Sequence, residues 1–549
     1  MSRVLIVGID GGTFDLIGPW AQAGDLPNLA RLMAEGAHGP LESTLPPVTS
    51  PAWPSFATGR NPGQHGVFDF IRASGGDFDL VNATSLRAKT LWQLLSEAGQ
   101  RVGVMNLPVT YPPLPVNGFL ISGMPAPIGG RFTYPTQLLE RYHARLPAYR
   151  LGPSVQYKPG QEGAFIQDLL DLTECWAQYA LRLLCDHADY EFLMFHFQST
   201  DVMQHALWRF VDPAHPLYDA AAAARYGPAL KQAYAIIDRF IGHALECVGD
   251  DTNVLVMSDH GFGPLHYVVN LNLLFLEHGL LSLKRGAWTR AKAALFSAGL
   301  TPAGVWRWIE HAGLQNYVWQ VSRSTRNKVV SKFLSFNDVD WTRTRAYSIG
   351  HVGQVYINLR GRQPHGSVAP GADYAAARQQ VLDALSTLRH PVSGKPLVER
   401  VIPAEEVVHG PYAAHGPDLY LIMDGYHTIA FPLFATDERI ITRQIRGDSG
   451  CHQPYGILIA WGKDVRAGSP VEGARIYDLA PTVLHLLGQP VPDDMDGHVL
   501  EAMLTLDRPV IYEPSTSGGS RGRVADEQTL SAEETAQVED RLRALGYLG

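Results

Sequence analysis

Short apolar runs that stop abruptly at polar or glycine positions recur along the chain: Val4–Ile9, Phe192–Phe197, Asn253–Met257 and Ile457–Trp461. Such runs, without alternation, are expected of strands covered on both faces. Between them, apolar residues return at helical spacing over Lys89–Ala98, Asp168–Leu184, Ala233–Cys247, Tyr374–Arg389 and Tyr477–Gly488. In Ala233–Cys247 the residues Ile237, Phe240, Ile241, Ala244 and Leu245 share one face. Val102–Asn106, Phe119–Ile121, Gln354–Leu359 and Asp418–Ile422 read as further strands. The alternation predicts an α/β chain with a mostly parallel central sheet and helices on both faces.

Three stretches break this rhythm. Pro46–Trp53 carries prolines on both sides of Thr49, which oppose regular structure and predict a turn, with a helix leaving it at Ser55–Thr58. Residues 271–345 are rich in tryptophan (Trp288, Trp306, Trp308, Trp319, Trp341) and in basic side chains, Arg323, Arg326 and Lys328 among them. They predict a helical insertion that draws anionic substrates toward a site, forms a dimer surface or is a solvated face. Pro514–Arg523 has linker composition, and Ser531-Ala532-Glu533-Glu534 opens a short helix as a capping box, ended by Gly546. The expected division is a discontinuous catalytic core, 1–270 and 346–505, an insertion at 271–345, and a linker with terminal helix at 506–549.

Composition narrows the class. With 46% hydrophobic and 18% charged residues the chain has ample material for a core, and a formal charge of −9 opposes binding of a nucleic-acid polymer. Cys175, Cys185, Cys247 and Cys451 lie far apart and are expected as reduced thiols of a cytoplasmic protein. The run Val4–Ile9 is too short for a signal peptide, and no stretch has the length of a membrane span.

Candidate chemistry gathers where runs end. Asp10 follows the first run, where parallel sheets place functional side chains; it reads equally as a helix cap. Asp201 and His205, four apart after Phe192–Phe197, share one face of a helix within reach of a common ion, or form a surface contact. Asp259 and His260 follow Asn253–Met257 among glycines, either as ligands or as a hydrogen-bonded pair holding a turn. His452 lies in an expected loop before Ile457–Trp461. Thr49 offers a hydroxyl that serves as a nucleophile if its pKa is lowered. These oxygen and nitrogen donors suit a pair of zinc- or manganese-type ions better than calcium or magnesium alone.

The order and local sequence of these residues resemble the alkaline phosphatase superfamily, within it the type I phosphodiesterase/nucleotide pyrophosphatase branch. The matching motifs are Gly8-Ile9-Asp10-Gly11, Thr49-Ser50-Pro51, Thr58-Gly59 with His65-Gly66, Asp201 with His205, Ser258-Asp259-His260-Gly261, His452, Asp478 with Ala480-Pro481-Thr482, and Pro492–Gly497. The resemblance implies an alkaline-phosphatase-like fold and two divalent ions, Zn2+ or Mn2+. Asp10, Thr49, Asp259 and His260 surround one ion, and Asp201, His205 and His452 hold the other. It implies hydrolysis of a small phosphate mono- or diester through a phosphothreonine at Thr49. Nucleotide-cleaving relatives carry Phe-Pro-Asn after the threonine and an asparagine beyond His-Gly; here stand Ser50-Pro51-Ala52 and Asp69. A carboxylate is a poor partner for a phosphate oxygen, so that contact is expected from elsewhere.

Rival readings differ at named positions. A sulfatase needs Cys or Ser with a following arginine, where this chain has Thr49 and Trp53. A phosphoglycerate-mutase-like phosphotransferase needs an arginine-rich pocket, for which the basic insertion is the candidate. Gly8–Thr13 also resembles the first phosphate loop of actin-like kinases, but the further loops are missing. A non-catalytic binding protein has no use for seven coordinating groups.

Overall fold

The computed structural model describes residues 2–74, 77–311, 333–350, 352–430, 437, 439–443, 447–515 and 531–544. Its nine-stranded sheet runs in the order Ala474–Arg475, Ala37–Glu42, Tyr455–Trp461, Thr252–Met257, Arg3–Ile9, Phe192–Phe197, Val102–Leu107, Gly118–Ser122, Thr133–Tyr134. The five strands from Thr252–Met257 to Gly118–Ser122 are parallel, and Tyr455–Trp461 lies antiparallel to both its neighbours. The doubly buried apolar runs thus form the middle of the sheet, and the expected α/β class is found.

Both faces are covered. One carries the long helices Glu162–Asp186 and Pro228–Cys247, the other Thr49–Thr58, Leu91–Glu97 and Leu479–Leu486. The helix Pro228–Cys247 also anchors its neighbour Pro27–Glu35. The buried Asp238 carboxylate accepts from the backbone amides of Asn28 (3.2 Å) and Leu29 (2.7 Å), two donors without partners inside that helix.

Four expectations from sequence are corrected. Thr49 is not in a turn before a helix but is the first residue of the helix Thr49–Thr58, every residue of which is buried. Pro51 falls in the first turn, where its missing amide costs nothing, and only Pro54 forfeits a bond in the interior. Cys185 and Cys247 form a disulfide, with Cα atoms 5.4 Å apart, while Cys175 and Cys451 are buried free thiols. The helices ending near these cysteines pack with those ends together, a meeting that sequence spacing does not reveal. The thiol-based ground for a reducing compartment therefore falls away.

His452 lies not in a loop but in a short strand, Gly450–Gln453. Finally, Gln354–Ile357 and Leu419–Met423 are strands, but of a separate four-stranded sheet with Ala346–Ser348 and Val398–Pro403. One apolar cluster runs from Val269 to Ala430, across the 345/346 boundary drawn from sequence. It includes the helix Leu271–Glu277 and Phe296 of the helix Ala287–Ser297. Trp319, Arg323, Arg326 and Lys328 lie outside the described residues, as does Gly546. Among the described residues no helix is long and apolar enough to cross a membrane.

Candidate active site

Asp10 follows the strand Arg3–Ile9, and Asp259 and His260 follow Thr252–Met257, its parallel neighbour on one side. On the other side Phe192–Phe197 leads into the helix Ser199–Leu207, which carries Asp201 and His205 one turn apart. Gly450–Gln453 pairs antiparallel with Gly261–Pro264, setting His452 opposite Phe262. Thr49 enters as the first residue of the facing helix Thr49–Thr58.

The seven residues converge. Thr49 Oγ1 stands 3.2 Å from His260 Nε2, which lies 3.2 Å from Asp259 Oδ2 and 3.7 Å from Asp10 Oδ1. Asp201 Oδ1 stands 3.5 Å from His205 Nε2 and 3.2 Å from His452 Nε2, and those two nitrogens are 3.0 Å apart. The His260 and His452 rings stack at 3.7 Å, joining the two groups. Ligand atoms of Asp10, Asp259 and His260 lie within 4.8 Å of one another, as do those of Asp201, His260 and His452.

Backbone carbonyls orient the histidines. His205 Nδ1 donates to Gly450 O (3.0 Å), His260 Nδ1 to Gly261 O (3.0 Å) and His452 Nδ1 to Pro47 O (2.9 Å). A carbonyl only accepts, so each Nδ1 carries a proton, and each ring turns its Nε2 into the site. Imidazole nitrogens and carboxylate oxygens thus face one another at close range, the donor set that divalent ions take.

Electrostatics agree. Burial, reinforced by the charges of Asp259 and Asp201, pushes the Asp10 carboxyl well above its usual range. Burial likewise pushes Asp259 up to about 7. The imidazoles of His205 and His260 are pushed down, mainly by burial, which favours the neutral form a metal requires. Asp10 Oδ1 and Asp259 Oδ2 are buried without a hydrogen-bond partner. A divalent ion in each group would offset the carboxylate charges and use those oxygens. The donor set, imidazole nitrogen with carboxylate oxygen and no thiolate, fits Zn2+ or Mn2+.

Sequence reasoning missed His196, inside the apolar run Phe192–Phe197. Its Nδ1 donates to Asn106 O (2.9 Å), its Nε2 stands 3.0 Å from Asp10 Oδ2, and Trp53 Nε1 donates to that oxygen (3.3 Å). Trp53 and His196 thus flank one oxygen of Asp10, and the other is the one left without a hydrogen-bond partner. Gly8 permits this, since a Cβ there would stand 2.9 Å from Trp53 Cη2 and 3.2 Å from His196 Cδ2. A lone histidine in an unbroken apolar strand was the available signal.

The remaining motifs hold the frame. Arg60 pairs with Asp494, and the amide and side chain of Asn61 donate to Asp496 Oδ2 at 2.7 and 2.9 Å. Asp478 accepts from the amides of Arg475 (2.8 Å) and His498 (2.9 Å). The first-named carboxylates thus clasp residues 492–498 to the end of the Thr49 helix. His65 Nδ1 accepts from Val67 N (3.2 Å), so its Nε2 donates to Ser55 Oγ (2.9 Å), and burial holds its pKa down at about 3.

The family model of type I phosphodiesterase / nucleotide pyrophosphatase matches residues 4–431. No curated protein matches the sequence. Among solved structures, phosphonoacetate hydrolase from Sinorhizobium meliloti 1021, in complex with phosphonoformate, is 14% identical, with a TM-score of 0.51 over 89% of this chain and 95% of that one. Human ectonucleotide pyrophosphatase / phosphodiesterase 5 is 13% identical, with a TM-score of 0.48 over 92% of this chain and 100% of that one. An inactive form of the murine protein in complex with AMP is 13% identical, with a TM-score of 0.49 over the same shares. With a family match over most of its length, the chain belongs to the type I phosphodiesterase / nucleotide pyrophosphatase family and is a hydrolase of phosphoester bonds.

Proposed function

We propose that this chain cleaves small phosphate esters by a double displacement, with Thr49 as nucleophile beside a two-metal centre. The observation that carries the reading is the convergence of three imidazole Nε2 atoms and three buried carboxylates around the Thr49 hydroxyl. Asp10, Asp259, His260 and Thr49 form one ligand group, and Asp201, His205 and His452 the other. Bound there, divalent cations supply positive charge that favours the ionised hydroxyl and offsets charge at phosphorus.

Thr49 releases its proton to water, and its Oγ1 attacks phosphorus. The new O–P bond replaces the bond to the leaving alcohol, which departs with a proton from solvent. Water then attacks the phosphothreonine, restoring the hydroxyl and freeing phosphate, or a phosphomonoester if the substrate was a diester. The amides of Thr49 and Ser50, in the first turn of the helix, are the backbone donors expected at the phosphoryl oxygens.

Acid quenching during turnover of a 32P-labelled ester, followed by peptide mapping, should place the label on Thr49. Thr49→Ala should lower kcat roughly 10^4-fold or more while keeping its metal content, and Thr49→Ser should retain part of the activity. Ser50 is the control: its buried hydroxyl has no hydrogen-bond partner, so Ser50→Ala should leave turnover within a small factor of wild type. Label on Ser50, or an active Thr49→Ala enzyme, sinks the mechanism.

A further inference from the structure

A second group of metal-binding side chains lies outside the seven-residue centre. After Gly261–Pro264 the chain passes His266 and enters the strand Tyr267–Val269, which pairs in parallel with Thr428–Ala430 in the register Tyr267↔Thr428. His266 and His427 each stand one residue before this pair. The register sets them side by side, and the His266 amide donates to His427 O at 2.7 Å.

Their ring centroids are 5.0 Å apart. Asp424 joins them through one tight turn, closed by the His427 amide on Asp424 O at 2.9 Å. Residues three apart in such a turn stand over one another, so carboxylate and imidazole face the same way. Asp424, Gly425 and Tyr426 all adopt positive φ (49°, 57° and 67°), and only the middle residue is a glycine.

Ligand atoms of His266, Asp424 and His427 all lie within 4.8 Å of one another, and all three residues are half-buried, open to ions from solvent. His390 Nε2 lies 3.6 Å from Asp424 Oδ2, and the His215 ring is 5.8 Å from that of His266. These neighbours surround the cluster with further imidazoles, one of them paired with the Asp424 carboxylate. Donors around a tetrahedral zinc stand roughly 3.4 Å apart, so modest side-chain rotation closes the site.

We propose that His266, Asp424 and His427 bind one divalent transition-metal ion of the Zn2+ class, fastening the strand that leaves the catalytic loop to the lobe of residues 269–430. Two imidazoles and one carboxylate fill three of four tetrahedral positions and leave the fourth to water or an external ligand. The segment tied down begins six residues after His260, so the ion braces the base of the catalytic centre without touching its ligands.

The test uses the full chain, stripped with chelator, dialysed against Zn2+ and counted by elemental analysis. His266→Gln with His427→Gln should bind one zinc fewer per chain than wild type and lose part of the Zn2+-dependent rise in Tm. Asp424→Asn keeps the shape and removes the charge, and should weaken the same ion about tenfold or more. Equal zinc counts and equal Tm shifts in wild type and the double variant overturn the proposal. If the double variant does not fold, Asp424→Asn with an unchanged zinc titration overturns it alone. Asp201→Ala with His205→Ala reports separately on the catalytic centre, so failure of one site does not pass for failure of the other.

Discussion

The catalytic centre and the His266–Asp424–His427 cluster are made of the same side chains yet built in opposite ways. In the centre each histidine is pinned through Nδ1 to a backbone carbonyl, and every carboxylate is buried. In the outer cluster the register of two strands does the positioning. Among the described hydrogen bonds, none fixes the ring of His266 or His427. A pinned and buried donor set gives fixed geometry and slow exchange, as phosphoryl transfer requires. An open set allows rotation and exchange, which suits a fastening.

The largest test of this contrast removes a pinned pair. Asp201→Ala with His205→Ala should lose about one ion per chain and lower kcat/KM on the order of 10^3-fold, measured by elemental analysis and steady-state kinetics. Unchanged metal content would show that the second ligand group is misassigned.

A smaller effect is expected one layer out. His196→Phe keeps a ring against Trp53, packed now at 4.7 Å between centroids, but removes the contact to Asp10 Oδ2. Metal affinity should fall roughly 10–100-fold with the thermal stability of the chelated protein little changed. Wild-type affinity in this variant would mean that Asp10 needs no positioning.

The smallest effect separates burial from ligation. Asp69 is buried in neither metal cluster, its Oδ2 has no partner, and burial pushes its carboxyl up to about 7 from an ordinary 3.8. Between those values the native state binds more protons than the unfolded chain, so stability falls as pH rises through this window and stays low above it. Asp69→Asn removes the penalty. Denaturant melts should show the variant on the order of 2 kcal/mol more stable at pH 8 and near wild type at pH 4, given about 1.4 kcal/mol per pH unit before relaxation. A gain equal at both pH values would assign the effect to packing.

Much of this was legible from residues alone, for a definite reason. Apolar runs covered on both faces end where the sheet's active edge begins, so Asp10, Asp259 and His260 announced themselves. Asp201 and His205 did so through helical spacing after such a run. What failed was pairing at a distance. The pattern of Gln354–Ile357 declares a strand but not its sheet. Nothing in the spacing of Cys185 and Cys247 says that two helix ends meet. His196 stayed hidden because a histidine that serves another residue looks like core. Thr49 was assigned to a turn because a proline at helix position three resembles a helix breaker in a one-dimensional reading.

The placement of Tyr455–Trp461 has a consequence for the order of synthesis. This late strand fills the gap between Ala37–Glu42 and Thr252–Met257, and His452 arrives just ahead of it. A nascent chain short of residue 452 has made Thr49 and most of the candidate ligands but has neither the wedge nor the last imidazole. One short of residue 494 lacks both acids that clasp Arg60 and Asn61. If His452 is a ligand as proposed, hydrolysis is expected to begin only once nearly all the residues described here have been delivered, and shorter fragments are expected to be inert.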